Sequence, residues 1–129
     1  MATWLNLLAV ACGGAVGSLL RYLITLLAIA IPGGSSLWGT TVANVLGCAA
    51  LGGLIQYTAA EQGIDERLQL AIQVGLLGGL TTFSTFAAES AQLATAGRLP
   101  LASLYMAANL LLGWAALVGA AEGVKAWSA

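Results

Sequence analysis

Charged side chains are scarce in this sequence of 129 residues: four are basic and five are acidic, which is 7% of the chain. A soluble domain carries about 25% charged residues, so a soluble fold of this composition would lack side chains to cover its surface. Because 60% of the residues are hydrophobic, we expect lipid to surround most of the chain. The net charge of −1 also argues against nucleic acid as a partner, because nucleic-acid-binding proteins need basic patches.

Histidine is absent, and only two cysteines occur. Without histidine, the chain lacks the commonest proton shuttle and metal ligand. Cys12 and Cys48 both lie inside apolar runs, so we interpret them as packing residues and not as a disulfide. The sequence has no zinc-like cysteine cluster, no phosphate-binding loop with its lysine and no nucleophile elbow, and we therefore predict that the protein is not an enzyme.

Four apolar stretches are long enough to cross a bilayer, which takes roughly 20 residues. We predict spans at about residues 4–31, 37–60, 68–96 and 100–127. Pro32 and the glycines after it end the first span, and Pro100 suits the first turn of the fourth. The connections are too short for a soluble domain, so we predict a single transmembrane domain over residues 1–129. No Lys or Arg precedes the first stretch, which we interpret as a membrane helix and not as a cleaved signal peptide.

The basic residues hardly favour one orientation in the membrane. If the N-terminus is inside, Arg67 and Lys125 lie inside and Arg98 lies outside, while Arg21 falls within the first span. Since basic cytoplasmic loops normally set topology, this weak bias permits insertion both ways up and, with it, an antiparallel dimer. The alternative is a single orientation set by signals that the sequence does not reveal.

Small and polar residues form a stripe on three of the predicted helices. The stripes are Gly14, Ser18 and Arg21 on the first helix, Thr40, Asn44 and Cys48 on the second, and Tyr105, Asn109 and Gly113 on the fourth. Such stripes line either a helix interface or a water-filled path, and both interpretations stay open. Many of the 17 glycines recur at close helical spacing, which favours tight packing between helices.

The third span carries the most distinctive segment, GLLGGLTTFSTF at residues 75–86. Glycine weakens a helix, and Ser and Thr compete for its backbone hydrogen bonds. We therefore predict a break in this helix near the middle of the membrane. Such a break frees backbone carbonyls, which suit a small cation and are tolerated where they face protein, water or an ion.

Two aromatic residues follow the predicted break. Phe83 and Phe86 are three residues apart, so they share a face if the helix resumes there. The positive edge of an aromatic ring can attract a small anion without the full charge that would trap it. Spacing alone, however, favours plain packing for both rings.

Two charged residues lie inside the predicted spans, Arg21 in the first and Glu89 in the third. An unpaired charge is expensive in a membrane, so each needs a partner or access to water. We hypothesise that the two pair with each other. A double-mutant cycle that shows no coupling between them would contradict this pairing.

GGLTTFSTFAAE at residues 78–89 closely resembles the signature of the Fluc/CrcB fluoride channels. GGAVGSLLRY at 13–22 and GTTVANVLG at 39–47 agree with the same family, so the resemblance covers essentially the whole chain in order. It implies an all-α integral membrane protein of four helices with a broken third helix, assembled as an antiparallel dual-topology homodimer. The implied function is a fluoride-selective channel of the bacterial inner membrane, with two pores per dimer, that relieves fluoride toxicity by passive efflux.

The resemblance also implies roles for single residues. A sodium ion at the dimer centre is expected on the backbone carbonyls of Gly78 and Thr81 from each subunit. The residues expected along the fluoride pore are Arg21, Asn44, Thr82, Phe83, Ser84, Thr85, Phe86, Tyr105 and Asn109. The fourth helix departs from some relatives, because Asn109 and Gly113 stand where these have serine. Asn109 can still donate through its amide, whereas Gly113 has no side-chain donor.

Composition and spacing alone leave two other functions open. A small dual-topology multidrug exporter shares the four helices, the length and the weak charge bias. A proton-coupled exporter of cations needs a membrane carboxylate in its binding site, however, and the first span has none, while Glu89 lies late in the third. The other alternative is a structural subunit of a larger membrane complex, in which the glycine-rich faces would be docking surfaces. Proton-driven ethidium transport would favour the exporter, and purification as a lone dimer would weaken the structural subunit.

Overall fold

The computed structural model describes residues 3–60 and 63–128, and within them every regular element is helical, as predicted. Four helical segments are long and apolar enough to cross a membrane. The elements are Thr3–Ala30 (α1), Ser36–Ala60 (α2), residues 66–80 (α3), Phe83–Thr95 (α4) and Leu99–Trp127 (α5). Helices α3 and α4 together make the third span, Glu66–Thr95. The predicted all-α architecture with four spans is confirmed.

The third span is interrupted at Thr81 and Thr82, whose backbones are extended at φ −81°, ψ 155° and φ −151°, ψ 117°. Before the break, α3 comprises Glu66–Leu70, a π-helical stretch over Ala71–Leu77 and a last α-helical turn at Gly78–Leu80. Departures of this kind from the α-helix are frequent at functional sites. The predicted broken helix is confirmed, and the interruption lies near the middle of the span.

The helices pack in two main pairs, α2 along α5 and α1 along α3. Gly17 of α1 lies against the backbone of α3, where a Cβ atom would collide with the carbonyl oxygen of Leu76. Gly52 of α2 lies in the same way against the carbonyl oxygen of Leu117 in α5. These close approaches of two backbones confirm tight packing for both glycines, since in lipid the helices have no hydrophobic drive toward each other.

Two turns contain glycines in the left-handed conformation that other residues rarely adopt. Gly33 follows α1 at φ 76°, and Gly97 ends α4 at φ 75°. At the second turn the N–H of Arg98 donates to the carbonyl oxygen of Leu93 at 2.9 Å, which closes the end of α4. Pro100 lies in the first turn of α5, as predicted. Short turns of this kind hold neighbouring spans side by side.

Large apolar side chains project outward from the spans. Trp114 on α5, for example, is 70% exposed. The buried core is small and consists of two clusters, which are Ala43, Leu77 and Leu80, and Phe86, Leu93, Ala102 and Tyr105. An apolar surface of this extent needs acyl chains or another subunit to cover it.

Candidate functional site

The side chain of Asn44 in α2 bonds to both backbone groups of Thr82. The Thr82 N–H donates to Asn44 Oδ1 at 2.8 Å, and Asn44 Nδ2 donates to the Thr82 carbonyl oxygen at 3.3 Å. An extended residue inside a membrane has backbone groups that no helix satisfies, and leaving them unpaired in lipid is expensive. Asn44 therefore stabilises the break by taking the place of the missing helical partners.

The break changes the bonding of the carbonyl groups that precede it. In an α-helix the carbonyl of Gly78 would accept from the Thr82 N–H, and that of Thr81 from the Thr85 N–H. Both donors are turned to side chains instead, the first to Asn44 Oδ1 and the second to Thr82 Oγ1 at 3.2 Å. The carbonyl oxygens of Gly78 and Thr81 are thereby released from their helical donors.

The carbonyl of Gly79, between these two, has a different partner. Arg21 Nε of α1 donates to the Gly79 oxygen at 3.1 Å. This bond places the Arg21 guanidinium beside the break. It also contradicts the hypothesis that Arg21 pairs with Glu89 within one protomer. The one ion pair across residues 3–60 and 63–128 joins Lys125 to Glu122.

Glu89 has a neutral partner. The Tyr105 hydroxyl of α5 donates to Glu89 Oε2 at 2.6 Å, so the two residues join α4 to α5. The sequence pattern could not predict this pair, because the register between the two helices depends on the turn at 96–98. Each of the two membrane charges therefore bonds to a nearby group, and the predicted pairing between them is wrong for the protomer.

The hydroxyl-rich segment after the break begins α4. Besides accepting from the Thr85 N–H, Thr82 Oγ1 donates to Thr85 Oγ1 at 3.0 Å and lies 3.5 Å from Ser84 Oγ. A threonine whose oxygen accepts from a backbone N–H in the first turn is a typical N-cap. The first role of Thr82 is therefore to cap the restarted helix by accepting from Thr85.

The polar stripes predicted on α2 and α5 face each other. Asn44 Nδ2 donates to Asn109 Oδ1 at 3.1 Å, and one turn further Cys48 Sγ lies beside Gly113, 3.4 Å from where a Cβ atom would stand. The stripes thus meet at a helix interface. The same interface also borders a cavity, which Asn44, Cys48 and Asn109 line.

Sequence reasoning missed Thr41, which completes this interface. Asn109 Nδ2 donates to Thr41 Oγ1 at 3.0 Å and to the Tyr105 carbonyl oxygen at 3.1 Å. Thr41 follows Thr40 in the chain and is one residue out of register with the predicted stripe. Its position beside Thr40 in the GTT segment was the one sequence feature that could have suggested it. Only the packing of α2 against α5 shows that its hydroxyl reaches Asn109.

Phe83 and Phe86 lie next to each other at the start of α4, on one face as predicted. Their ring centroids are 5.6 Å apart and the ring planes are tilted by 59°. Phe86 is only 7% exposed and packs against Tyr105, at 5.7 Å between centroids, whereas Phe83 is 76% exposed. One ring therefore belongs to the core, and the other stands on the surface of the protomer beside the break.

A cavity of about 320 Å³ opens at the break. Five of the predicted pore residues line it, and so do both predicted sodium ligands: Asn44, Thr82, Phe83, Phe86 and Asn109, with Gly78 and Thr81. Arg21, Ser84, Thr85 and Tyr105 do not line it. Cys48 and Gln73 also line this cavity and were not predicted as site residues.

The polar groups that line the cavity are neutral, and they lie among apolar side chains such as Leu51 and Leu77. Amide, hydroxyl and backbone groups converge there beside an aromatic ring. Across the described residues, no three His, Cys, Asp or Glu side chains come together to hold a metal ion. Such a site can bind small ions through carbonyl oxygens, amide hydrogens and ring edges, and each of these contacts is weak enough to be reversed.

Comparison with known proteins gives consistent matches along the chain. The family model described as CrcB-like protein, Camphor Resistance (CrcB), matches residues 8–121. A protein of Rhodopirellula baltica named Fluoride-specific ion channel FluC is 40% identical, over 95% of this chain and 96% of the relative. Proteins of the same name from Agrobacterium fabrum and Shewanella amazonensis are 34% and 44% identical, over 88% and 83% of this chain and 90% and 86% of the relatives.

Proposed function

The chain belongs to the CrcB family, and on this basis we propose that it is a fluoride-selective channel through which the ion leaves the cell passively. The observation that carries the proposal is the match of nearly the whole chain to proteins named fluoride-specific ion channels. These relatives are ion channels and not enzymes, and the chain shares their family. Passive efflux of fluoride would relieve its toxicity without consuming ATP.

The cavity at the break offers what a dehydrated fluoride ion needs. Fluoride is small and strongly hydrated, so a pore must replace its water shell with donors. Asn44 lines the cavity, and its amide can exchange a hydrogen bond within the protein for one to the ion, while Thr82 and Asn109 complete the polar part of the lining. The Phe83 ring stands exposed beside them, where its positive edge attracts an anion without a formal charge. We assign the cavity to the fluoride path.

The other predicted pore residues lie outside this cavity and take supporting roles in the proposal. Arg21 places a positive charge beside the break, which attracts anions toward it. Ser84 and Thr85 add hydroxyls at the start of α4, and Tyr105 joins the wall through its contact with Phe86. In the proposal, these four residues line or influence the fluoride path on either side of the cavity that Asn44 and Phe83 border.

We also propose that the carbonyls of Gly78 and Thr81 hold a sodium ion. Both oxygens have lost their helical donors to side chains, and oxygen ligands suit a hard cation. The ion would take the place of the missing N–H donors to these two carbonyl oxygens and so stabilise the break. Replacing sodium in the buffer by a large organic cation should lower the thermal stability of the purified protein. Equal stability in both buffers would contradict this site.

A second copy of the chain would complete the site. One face of the cavity is open, and Phe83 beside it is 76% exposed, which suits contact with another subunit in the membrane. We propose an antiparallel homodimer in the bacterial inner membrane, with one fluoride path on each side of its two-fold axis. Two copies of Gly78 and Thr81 would then meet at the centre, where four carbonyl oxygens are available for one sodium ion.

The first experiment is a flux assay on the purified protein in liposomes, with fluoride followed by an electrode and chloride as the control ion. We expect fast efflux of fluoride and none of chloride. Asn44→Ala should lower the fluoride rate by about ten- to a hundredfold, the effect of losing one hydrogen bond to a charged group. Phe83→Ile should also lower it, because an aliphatic side chain has no positive edge.

Leu104→Ile serves as the matched control, because Leu104 faces outward on α5 and does not line the cavity. Its flux should equal that of the wild type. A well-folded wild-type protein that carries no fluoride would overturn the proposed function. Proton-driven uptake of ethidium by the same liposomes would point to an exporter instead.

A further inference from the structure

A continuous chain of hydrogen bonds runs from the start of α2 to the break. The Thr41 hydroxyl donates to the Leu37 carbonyl oxygen at 2.9 Å and accepts from Asn109 Nδ2 at 3.0 Å. Asn109 Oδ1 accepts from Asn44 Nδ2 at 3.1 Å, and Asn44 Oδ1 accepts from the Thr82 N–H. The bonds among Thr41, Asn109, Asn44 and Thr82 join residues 38 to 68 positions apart in sequence, so helix packing alone brings them together.

Chemistry determines the direction of both amides in this chain. Thr82 N–H is only a donor, so Asn44 must turn its oxygen toward it. The Tyr105 carbonyl is only an acceptor, and the Thr41 hydroxyl has given its hydrogen to Leu37, so Asn109 must turn its nitrogen toward these two. A rotated amide at either residue would set oxygen against oxygen or N–H against N–H.

Both amide hydrogens of Asn44 are consequently in use. One goes to the Thr82 carbonyl at 3.3 Å and the other to Asn109 Oδ1 at 3.1 Å. An anion in the cavity can bond to Asn44 only by displacing one of these acceptors. The Thr82 carbonyl belongs to the backbone of the break, whereas Asn109 Oδ1 belongs to a side chain that can move.

We propose that Asn109 is a positioning residue that competes with fluoride for one amide hydrogen of Asn44. This inference rests on the proposed fluoride channel. In the resting arrangement Asn109 holds Asn44 in place and occupies its N–H. An entering fluoride ion takes over that hydrogen, and Asn109 recovers it when the ion moves on. Asn109 thus weakens fluoride binding at Asn44, which favours release over trapping.

Asn109→Ser removes the competition for the Asn44 hydrogen and leaves the rest of the site in place. Hydroxyls within the helices of this protein bond to the carbonyl four residues earlier, as Ser90 does to Phe86 at 2.7 Å and Thr41 does to Leu37. The introduced serine should bond in the same way to the Tyr105 carbonyl and so remain satisfied. Its short side chain no longer reaches Asn44, which leaves one N–H of Asn44 free for fluoride.

The test measures fluoride efflux from liposomes as a function of fluoride concentration, for wild type and Asn109→Ser. We expect the half-saturating concentration to fall about fivefold in the variant, the equivalent of one hydrogen bond of ordinary strength. A loss of folded channels would lower the maximal rate but leave half-saturation unchanged. An unchanged half-saturating concentration in active Asn109→Ser channels would overturn the inference.

Thr41→Val gives a second test, because it acts on the same series of hydrogen bonds. It removes the acceptor that anchors Asn109 Nδ2, so Asn109 should hold Asn44 less firmly, and half-saturation should shift in the same direction by a smaller factor. The matched control is Thr58→Val on the same helix, because within residues 3–60 and 63–128 the Thr58 hydroxyl bonds to the Ile55 carbonyl and takes no part in the Asn44–Asn109 network. A shift in the control as large as that in Thr41→Val would also overturn the inference.

A measurement on the wild type keeps the inference testable if the variants do not fold. The protein has three asparagines, Asn6, Asn44 and Asn109, so selective ¹⁵N labelling yields three pairs of side-chain amide signals, one pair for each NH₂ group. Fluoride should shift the signals of Asn44 and Asn109 together, while that of Asn6, which bonds to Arg67, serves as a reference. A shift of Asn44 alone, or of neither, would overturn the inference.

The outcomes separate this inference from the proposed function. A wild-type protein that carries no fluoride overturns both. A wild-type protein that carries fluoride, with Asn109→Ser unchanged in half-saturation, leaves the channel in place and removes only the competition by Asn109.

Discussion

At the level of single residues, Thr82 holds the break together through both its backbone and its side chain. Its backbone N–H and carbonyl both bond to Asn44, and its hydroxyl accepts from the Thr85 N–H. One residue thus ends the helical bonding of α3 and begins that of α4. A threonine is suited to both tasks, because its backbone tolerates the extended conformation and its oxygen can cap a helix.

Thr82→Ala should destabilise the protein by about 1 kcal/mol, the usual effect of losing an N-cap oxygen. The Thr85 N–H and hydroxyl would lose their common partner, while the backbone bonds to Asn44 would remain. The free energy of unfolding in detergent, followed by circular dichroism, measures the loss. Thr82→Ser keeps the oxygen and is the control, so equal destabilisation by both changes would contradict the capping role.

At the level of elements, glycines determine how closely the spans approach. The backbones of α1 and α3 touch along one line, at Gly13 and Gly17 on the first helix and at Gly75 and Gly79 on the second. A Cβ atom at Gly79 would stand 2.6 Å from the carbonyl oxygen of Gly14. This approach brings Arg21 of α1 within hydrogen-bonding distance of the break, so the packing of two helices positions a charge at the site.

Gly17→Ala should lower the free energy of unfolding by about 1–3 kcal/mol, the range seen when extra methylenes are forced into a packed site. The added methyl group would collide with the backbone of α3 at Leu76, which cannot rotate away as a side chain can. Thermal denaturation in detergent, detected by circular dichroism, reports the change.

Gly14→Ala is the matched control on the same helix. A Cβ atom there would lie 3.8 Å from the Gly75 carbonyl oxygen, an ordinary contact. We expect little or no destabilisation from it. Equal loss of stability in the two variants would show that helix α1 is sensitive to alanine in general and not to the close approach at Gly17.

At the level of the whole molecule, the protomer exposes large apolar side chains on every span, while α2 and α5 share a polar interface beside the break. The cavity at the break opens toward one face of the protomer. A protomer whose cavity is open and carries polar groups suits lipid on one side and a second copy on the other. The proposed antiparallel dimer requires that both orientations insert into the membrane.

A cysteine-accessibility experiment tests this orientation. In Ser128→Cys the new thiol lies just after the end of α5. About half of the protein molecules should react with a membrane-impermeant maleimide added to intact spheroplasts, because the basic residues barely bias insertion. The remainder should react after permeabilisation. Wild type is the control, because its cysteines lie within α1 and α2. Complete labelling, or none, before permeabilisation would contradict dual topology.

The sequence by itself determined the membrane environment, the four spans and the break. Each of these depends on residues close together in the chain: long apolar stretches, Pro100 at a helix start, and two glycines followed by Thr81 and Thr82. Local energetics decide such features, because an unbroken apolar helix is stable in lipid whereas a run of glycine and hydroxyl residues weakens it. The family resemblance was visible in the same segments.

Only the tertiary structure decided which polar groups meet. Asn44 and Asn109 were predicted on separate stripes, but their bond to each other, and the part of Thr41 in it, depend on the register between α2 and α5. The pairing predicted for Arg21 and Glu89 was wrong for the same reason. Hydrogen bonds between spans form only at distances near 3 Å, and a shift of one helical turn, 5.4 Å, gives every side chain a different partner.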